Sequence, residues 1–307
     1  MAEIGRNPRL FGVLITFRRP EQLAATLRAV TAQTRALDGL VVVDNAASPE
    51  TREILHAIVP DAEYVAAPEN LGPAGGIALG MEHVLPRADD DDWIVTLDDD
   101  DPPRDDEVFA ALFDFAAVAS ARDPATAAVG VEGQWFDRRR GRIRWVPDSA
   151  LSDDVSVDFI GGDFCPCYSV RAIRSVGTPR RDLFFGFDDL EYGLRLRAAG
   201  YALQVSGRSF LASREANGTL GQDLVPSRGL GRLSWRRYYS LRNLVRILRD
   251  SGSIGAALRV TVIVGLAKPL ANVFVDPTLA FGHLRLNVRA CLDAWTGRMG
   301  RTVEPTP

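Results

Sequence analysis

Apolar and polar positions alternate in blocks along the first hundred residues. Residues 10–17 form a continuous apolar run, as expected for a strand buried on both faces of a sheet. Leu23, Leu27 and Val30 then recur at helical spacing after a Pro-Glu pair that favours a helix start. The same alternation continues to residue 97, and it predicts a β-α-β-α-β-α-β order in a mainly parallel, doubly wound sheet. The predicted strands are 10–17, 40–43, 63–66 and 93–97, and the predicted helices follow Pro20, Ser48 and Gly72.

The pattern changes twice further along the chain. After a helix over 105–120, residues 128–162 contain short strands typical of a mixed sheet. From residue 235 the apolar spacing becomes helical, with further helices predicted over 254–275 and 279–295. The sequence therefore predicts an α/β domain, 1–225, and a C-terminal helical region, 226–307, with a boundary near 225–229.

Polar residues stand at the ends of the predicted strands. Ligands bind outside the carboxyl ends of the strands in open parallel sheets, so we expect these side chains to share one edge. They are Thr16, Arg18, Asp44, Asn45, Asn70 and the acidic run 98–101. For Asp44 and Asn45 an ordinary turn is an equal alternative, because both residue types favour turns.

The run Asp98-Asp99-Asp100-Asp101 follows a buried-looking strand directly. Four like charges repel one another, so the run predicts a divalent cation or a cationic partner. Oxygen ligands suit Mg²⁺ or Mn²⁺, which also hold substrate phosphates. The alternative is a solvated acidic turn, since residues 89–92 show that the chain also carries ordinary acidic loops.

Two further segments carry candidate chemistry. The glycine-rich loop 70–76, which includes Gly75, lies between a strand and a helix, where backbone N–H groups could approach a phosphate. Asp188 and Asp189 open a helix after an apolar run. Asp188 suits an N-cap, and Asp189 in the first turn could accept a proton from a hydroxyl. Glu191 and Arg195 have the spacing of a helical ion pair.

Composition excludes several classes. The formal net charge of −4 gives no electrostatic footprint for nucleic acid. The N-terminal residues 1–8 contain no apolar signal-peptide core, and the chain has no uninterrupted apolar run of about 18 residues. We therefore expect a cytoplasmic protein without a spanning helix.

Taken together, these segments resemble the family 2 glycosyltransferases with the GT-A fold, over roughly the first 215 residues. The loop Asn-Leu-Gly-Pro-Ala-Gly-Gly, the Asp run and Asp-Asp-Leu-Glu-Tyr-Gly-Leu-Arg look like its galactofuranosyltransferase and rhamnosyltransferase branch. The resemblance implies a Rossmann-like, mainly parallel mixed sheet flanked by helices. It also implies transfer of a sugar from a dTDP- or UDP-linked donor to a glycan, lipid-linked or natural-product acceptor.

The resemblance also implies roles for single residues. Thr16, Arg18 and Asp44 would line the nucleotide base, with Asn45, Asn70, Gly75 and Asp99 among the donor contacts. Asp98 and Asp100 match the ends of the family's Asp-x-Asp motif. One would approach the ribose or diphosphate of the donor, with Asp98 among the donor contacts, and the other would bind Mg²⁺ or Mn²⁺. Asp189, beside Asp188, would be the general base, and Gly162 and Asp163 would face the acceptor. The mechanism would be a single inverting displacement.

One departure from the family pattern concerns the metal. Related enzymes place a His on the strand after the base helix, where it is a third metal ligand. Residues 202–221 of this chain contain no His, and Ser213 or Arg214 stands in that region. Arg214 could instead stabilise leaving-group charge. A deoxyhexose donor of the rhamnose type is the favoured interpretation. The alternatives are a UDP-galactofuranose donor, or a non-catalytic homologue that binds nucleotide sugars.

The helical tail is rich in arginine among apolar residues. Such a face could contact anionic lipid at the inner side of a membrane. The favoured alternative is that its apolar faces pack on the first domain or in a homodimer, because Asp250, Asp276 and Asp293 interrupt the positive face.

Overall fold

The computed structural model describes residues 7–222 and 233–305 and contains a mixed eight-stranded sheet and a small two-stranded sheet. The strands are β1 Leu10–Thr16, β2 Gly39–Asp44, β3 Glu63–Ala66, β4 Trp93–Asp98, β5 Thr126–Gly130, β6 Trp135–Asp137, β7 Arg142–Arg144, β8 Val155–Val157, β9 Cys167–Ser169 and β10 Ala202–Val205. Helices cover both faces of the large sheet. They are α1 Pro20–Thr31, α2 Pro49–Ile58, α3 Gly72–Val84, α4 Val108–Arg122, α5 Val170–Val176, α6 Asp188–Ala198 and α7 Gly207–Ala216.

The large sheet has the strand order β3-β2-β1-β4-β9-β5-β10-β8. Neighbours among β3, β2, β1 and β4 are parallel, which confirms the predicted β-α-β order of the first hundred residues. Strand β9 lies antiparallel between β4 and β5, and β8 lies antiparallel at the far edge. Of the short strands in the predicted region 128–162, β5 and β8 belong to this mixed half, whereas β6 and β7 form the separate two-stranded sheet.

Buried apolar side chains hold the helices against both faces of the sheet. Every residue of β1 is buried, as its continuous apolar pattern predicts. Helix α3 approaches the sheet closely at Gly80, because a Cβ there would lie 2.3 Å from a Val13 methyl group. The glycines of α3 therefore set the distance between the helix and the ligand-facing edge.

The C-terminal region packs as a helical layer against the segment that precedes α6. Its helices are α8 Trp235–Asp250, α9 Ile254–Val260, α10 Lys268–Ala271 and α11 Pro277–Thr296, with a π-helical stretch Thr261–Ala267 between α9 and α10. Tyr238, Leu248 and Ala290 are buried in the core between these helices. The predicted helix 254–275 begins at the correct residue, but the helical structure ends at Ala271, so the predicted end is wrong. The boundary predicted near 225–229 lies outside the described residues.

One helical segment of the described chain, Ile254–Ala271, is long and apolar enough to cross a membrane by length and composition alone. Arg259 and Lys268 lie within this segment, so it contains no uninterrupted apolar run of about 18 residues.

Candidate active site

The carboxyl ends of β1, β2 and β4 meet at one edge of the sheet. Strand register pairs Thr16 with Asp44, and Ile15 with Asp98. The polar residues expected at these strand ends therefore do lie side by side.

Asp99 joins the end of β4 to the end of β1. Its Oδ2 accepts hydrogen bonds from the Thr16 hydroxyl at 2.7 Å and the Phe17 N–H at 3.2 Å, and its Oδ1 accepts one from Arg19 at 3.1 Å. The hydroxyl of Thr26 in α1 donates to the Asp99 carbonyl at 2.7 Å. Two predicted donor contacts, Thr16 and Asp99, are thus bonded to each other and fix the shape of this edge.

Arg19, rather than Arg18, turns toward the acidic run. Its guanidinium pairs with both Asp99 and Asp100, and it lines the cavity at this edge. Arg18 has a φ of 55° and is exposed, with its guanidinium stacked on the Phe17 ring. Arg18 is not among the residues that line the cavity, so the structure does not bring it to the donor position that the resemblance implies.

Asp44 is fully buried and its carboxylate is engaged. It accepts from the N–H groups of Ala46 at 2.8 Å and Ser48 at 2.7 Å, and from the Tyr64 hydroxyl at 3.0 Å. Burial and the bond to Asp44 raise the pKa of Tyr64 to about 12. In this structure Asp44 therefore fixes the turn after β2, the alternative that the sequence left open.

The glycine-rich loop is shaped by amide side chains. The Asn45 Oδ1 accepts from the Leu71 N–H at 3.1 Å, and the Asn70 Oδ1 accepts from the Gly72 N–H at 2.9 Å. Asn45, Asn70 and Gly72 line the cavity, whereas Gly75 lies one turn inside α3 against Leu71. The loop thus presents its first residues, not Gly75, to a ligand.

The remaining carboxylates of the run are crowded. Burial, Asp188 and Asp100 raise the pKa of Asp98 to about 7, and burial with Asp163 raises that of Asp101 to about 6. Such mutual repulsion is what a bound cation would relieve.

The residues at this edge fit a metal ion that is bound partly by protein carboxylates and partly by oxygen atoms of a substrate. In the described part of the chain no group of three or more His, Cys, Asp or Glu side chains is arranged to hold a metal ion. Mg²⁺, however, commonly binds one or two carboxylates and completes its shell with phosphate oxygens and water. Asp98 and Asp100 could supply those two carboxylates.

The segment before α6 has an unusual backbone. Phe184 and Phe187 have φ values of 63° and 62°, which side chains other than Gly rarely adopt. Helix α6 begins at Asp188 with Phe187 as its N-cap, so the N-cap predicted at Asp188 is wrong by one residue. The predicted pair Glu191–Arg195 is present, with 3.0 Å between Oε1 and Nε.

Helix α8 holds this strained segment in place. The Asn243 Nδ2 donates to the carbonyls of Leu183, Phe185 and Gly186 at 3.0, 3.0 and 2.8 Å. The neighbouring Arg242 donates to the Leu183 carbonyl at 2.9 Å. Both side chains are fully buried. The C-terminal region therefore helps to position the predicted base. The sequence signal for this role is an adjacent Arg and Asn within a predicted helix.

Asp188 and Asp189 share a half-buried position at the start of α6. Burial raises the pKa of both carboxyl groups, and the charge of Asp188 raises that of Asp189 further. A carboxyl whose pKa lies nearer to neutrality is a better proton acceptor than an ordinary Asp.

Three cavities follow one another across this edge. The first, about 330 Å³, contains the acidic run and the glycine-rich loop; the second, about 270 Å³, contains Asp188 and Tyr192; the third, about 390 Å³, contains Trp145 and Phe159. Asp98 lines the first and second cavities, and Asp189 lines the second and third. The two acids thus mark the boundaries between neighbouring chambers of one cleft.

The segment predicted to face the acceptor also lies in this cleft. A Cβ on Gly162 would lie 3.3 Å from the Asp98 Oδ2, and Asp163 lines the second and third cavities. Burial raises the pKa of Asp163.

Arg214 lies away from the acidic run. It is buried, it pairs with Asp148, and its guanidinium lies over the rings of Trp145 and Phe210 at 4.7 and 4.5 Å. It lines none of the three cavities. The structure therefore does not bring Arg214 to the first cavity, and the cations among the described residues that line that cavity are Arg19 and Arg236.

These features define a class of proteins in which a mixed α/β sheet of the GT-A type carries a cleft of carboxylates at the carboxyl ends of its strands. The sequence model of glycosyl transferase family 2 matches residues 13–173, more than half of the chain. The chain belongs to glycosyl transferase family 2.

Curated relatives include galactofuranosyltransferase GlfT1 of Mycobacterium tuberculosis H37Rv, which is 33% identical over 62% of this chain and 65% of its own length. GlfT1 of Mycolicibacterium smegmatis is 34% identical over 61% and 65%. The match thus spans less than two thirds of these relatives.

Two solved structures resemble the fold. The mannosyltransferase PcManGT from Pyrobaculum calidifontis, in complex with GDP-Man and Mn²⁺, has a TM-score of 0.52 and 16% identity over 95% of this chain and 76% of its own. GalNAc-T7 with UDP, GalNAc and Mn²⁺ has a TM-score of 0.54 and 12% identity over 80% and 48%.

Proposed function

We propose that this protein is an inverting glycosyltransferase that moves a galactofuranose-type sugar from a UDP-linked donor to a hydroxyl of a glycan or lipid-linked acceptor. The observation that carries the proposal is the order of the three cavities, with Asp98 between the first and second and Asp189 between the second and third. This order allows donor diphosphate, reacting sugar and acceptor to occupy adjacent chambers.

The first cavity suits a nucleoside diphosphate. Arg19 and Arg236 bring positive charge to it, and Asn70 and Gly72 form its glycine-rich wall. Asp98 and Asp100 would hold Mg²⁺ or Mn²⁺, which supplies charge neutralisation to a leaving diphosphate.

Asp189 would act as the base. The acceptor oxygen attacks the anomeric carbon as the bond from that carbon to the diphosphate oxygen breaks, and Asp189 takes the acceptor proton. The electron pair of the broken bond leaves with the diphosphate. One displacement without a protein nucleophile inverts the anomeric configuration, as in inverting glycosidases.

The third cavity suits a sugar ring. Trp145, Phe159 and Phe187 give it aromatic faces, and Gln134 and Asp163 give it polar groups. Apolar walls with a few polar groups are typical of sites that orient a small ligand. This supports a glycan acceptor.

The choice of donor rests on the relatives. The sequence interpretation favours a rhamnose-type donor, but the curated relatives at 33–34% identity are named galactofuranosyltransferases. They support the alternative, UDP-galactofuranose. Cytoplasmic localisation and homodimer formation remain predictions.

A donor screen tests the proposal. The purified chain is incubated with UDP-galactofuranose, dTDP-L-rhamnose or UDP-glucose, with Mn²⁺ or with a chelator, and nucleotide release and thermal stability are measured. We expect UDP release from UDP-galactofuranose that depends on metal, and a donor-dependent rise in melting temperature. Turnover of dTDP-L-rhamnose alone would overturn the donor assignment. Stabilisation by donors without release from any of them, even with glycan acceptors present, would favour a non-catalytic homologue.

A further inference from the structure

The segment Ile254–Ala271 carries apolar side chains on both its inner and its outer face, with Arg259 and Lys268 as its charged residues. Its inner face packs on the core of the helical layer through Ala256, Ala257 and Val260. Its outer face carries Leu258 and Val262, which are 51% and 53% exposed. A helix on the surface of a globular protein normally turns polar residues outward, but the outer face of this segment carries exposed apolar side chains instead.

The connection between α10 and α11 extends this face. Phe274 and Val275 are 96% and 81% exposed, and Phe281, one turn into α11, is exposed as well. Ten of the thirteen exposed large apolar side chains of the described residues lie between 233 and 292. Scattered exposed apolar residues need no explanation, but a concentration of them marks an interaction surface.

The charges around this surface are almost all positive. Between residues 254 and 292 there are four cations, Arg259, Lys268, Arg285 and Arg289, and one anion, Asp276. Arg259 and Arg285 are exposed, and no carboxylate of the described chain lies within ion-pair distance of either. Apolar side chains with basic neighbours are the composition that binds an anionic lipid interface.

The segment is tied to the protein, which argues against spanning. The Asn287 Nδ2 donates to the carbonyls of Val264 and Gly265, both at 3.2 Å, and the Trp295 Nε1 donates to the Thr261 hydroxyl at 3.1 Å. Only the outer face is open, so the segment can lie in the plane of a membrane.

A second copy of the chain is a poorer occupant. A two-fold interface brings the same patch of both copies together, so its four cations would face the same four cations and a single anion, Asp276, of the second copy. An anionic lipid surface instead offers opposite charge to all of them.

We propose that the outer face formed by Leu258, Val262, Phe274, Val275 and Phe281, called here the apolar face, binds the surface of an anionic phospholipid membrane. These side chains enter the boundary between headgroups and acyl chains, and Arg259 and Arg285 contact the headgroups. The inference does not depend on the identity of donor or acceptor.

One end of the apolar face, at Phe281, is linked to the active site through Leu233. A Cβ on Gly282 in α11 would lie 3.0 Å from a Leu233 methyl group, and Trp235, two residues further on, lines the first cavity. Membrane binding would therefore hold the cleft near the lipid surface, where a lipid-linked acceptor would present its sugar.

Vesicle flotation with the full chain tests this inference. Vesicles of phosphatidylcholine alone are compared with vesicles that also contain phosphatidylglycerol. We expect flotation with the anionic vesicles and its loss at about 0.5 M salt. Phe274→Asp should reduce the bound fraction about tenfold or more, since it removes a large apolar side chain from the interface. A double variant, Arg259→Gln with Arg285→Gln, should bind anionic vesicles more weakly and should not change the behaviour with neutral vesicles.

Val118→Asp is the matched control, because Val118 is 46% exposed on α4, outside the apolar face. It should float like the unchanged protein. Each variant should keep its melting temperature, because each changed side chain is exposed. A protein that stays at the bottom with both vesicle types overturns the inference, and so does a Phe274→Asp protein that floats like the Val118→Asp control. A dimer that Phe274→Asp converts to monomer, without vesicle binding by either, would assign the apolar face to a second copy.

Discussion

Gly72 lies directly against the backbone of Phe184: a Cβ at position 72 would be 2.0 Å from the Phe184 carbonyl oxygen. Gly72 is the first glycine of the glycine-rich loop, and Phe184 begins the strained segment that leads to the base. One contact thus couples the donor wall of the cleft to its catalytic helix.

This contact predicts the effect of Gly72→Ala. The new methyl group must displace backbone, so we expect both a lower melting temperature and a large loss of transfer. Gly218→Ala is the control, because Gly218 has a similar φ of 64° against 68° for Gly72 but no atom within 4 Å. Its backbone strain alone should cost about 1–2 kcal/mol and leave transfer unchanged. Equal behaviour of the two variants would mean that the Phe184 contact does not matter.

The acidic run predicts opposite outcomes at neighbouring positions. Asp100 is half exposed, and its ion pair with Arg19 is worth little stability, about 0–1 kcal/mol. Asp100→Ala should therefore keep the melting temperature and abolish metal-dependent transfer.

Asp99→Ala should instead destabilise the fold. It leaves the Thr16 hydroxyl and the Phe17 N–H without their acceptor, at about 1–3 kcal/mol for each buried group left unsatisfied. Thermal unfolding of both variants measures the contrast. Retained transfer in Asp100→Ala, or an unchanged melting temperature in Asp99→Ala, would contradict this division of roles.

The base assignment predicts a specific kinetic pattern. Asp189→Asn keeps the shape of the side chain and removes its proton-accepting power, so kcat should fall by about 10² to 10⁴. Donor affinity, measured by titration, should stay nearly unchanged. If donor affinity collapsed instead, Asp189 would be a binding residue and the base would be Asp188.

The pH profile tests the same acid independently. Asp189 must be ionised to accept a proton, and burial and Asp188 raise its pKa. The rate should therefore fall as the pH drops through that raised pKa, above the usual Asp range near about 4. Asp188→Asn removes the repulsion and lowers the pKa of Asp189, so the acid limb of kcat/KM should move to lower pH. Asp114→Asn, an exposed change on α4, should leave the limb in place. An unmoved limb in Asp188→Asn would assign it to another group.

The parallel half of the fold could be predicted because its pattern is local. The apolar run of β1, the Pro starts of α1 and α2, and the bounds of β3 follow from residues close in sequence. The shared position of the polar residues at the strand ends could also be predicted, because the carboxyl ends of parallel strands meet at one edge of the sheet.

The details of the site depend on distant contacts that no local pattern contains. Arg18 and Arg19 are chemically identical, but Arg18 has a positive φ and it is Arg19 whose guanidinium pairs with the carboxylates. Likewise, the carboxylate of Asp44 is occupied by Tyr64, twenty positions away. The strained segment before α6 is held by hydrogen bonds from Asn243, which lies more than fifty residues further along the chain.

Tyr192 carries the last prediction. Its hydroxyl is buried in the described structure without a hydrogen-bond partner, and the residue lines the second cavity, one turn after Asp188 and Asp189. A buried hydroxyl without a partner costs stability, which is reasonable if a substrate hydroxyl completes it. Tyr192→Phe should therefore keep or raise the melting temperature of the free protein. It should also lower kcat/KM by about 2- to 13-fold, the loss expected for one neutral hydrogen bond of about 0.5–1.5 kcal/mol. The matched control is Tyr239→Phe, where the hydroxyl donates to the Val303 carbonyl at 2.7 Å, so removing it should lower the melting temperature instead. A Tyr192→Phe enzyme with unchanged kcat/KM for every donor and acceptor would show that the hydroxyl never meets substrate.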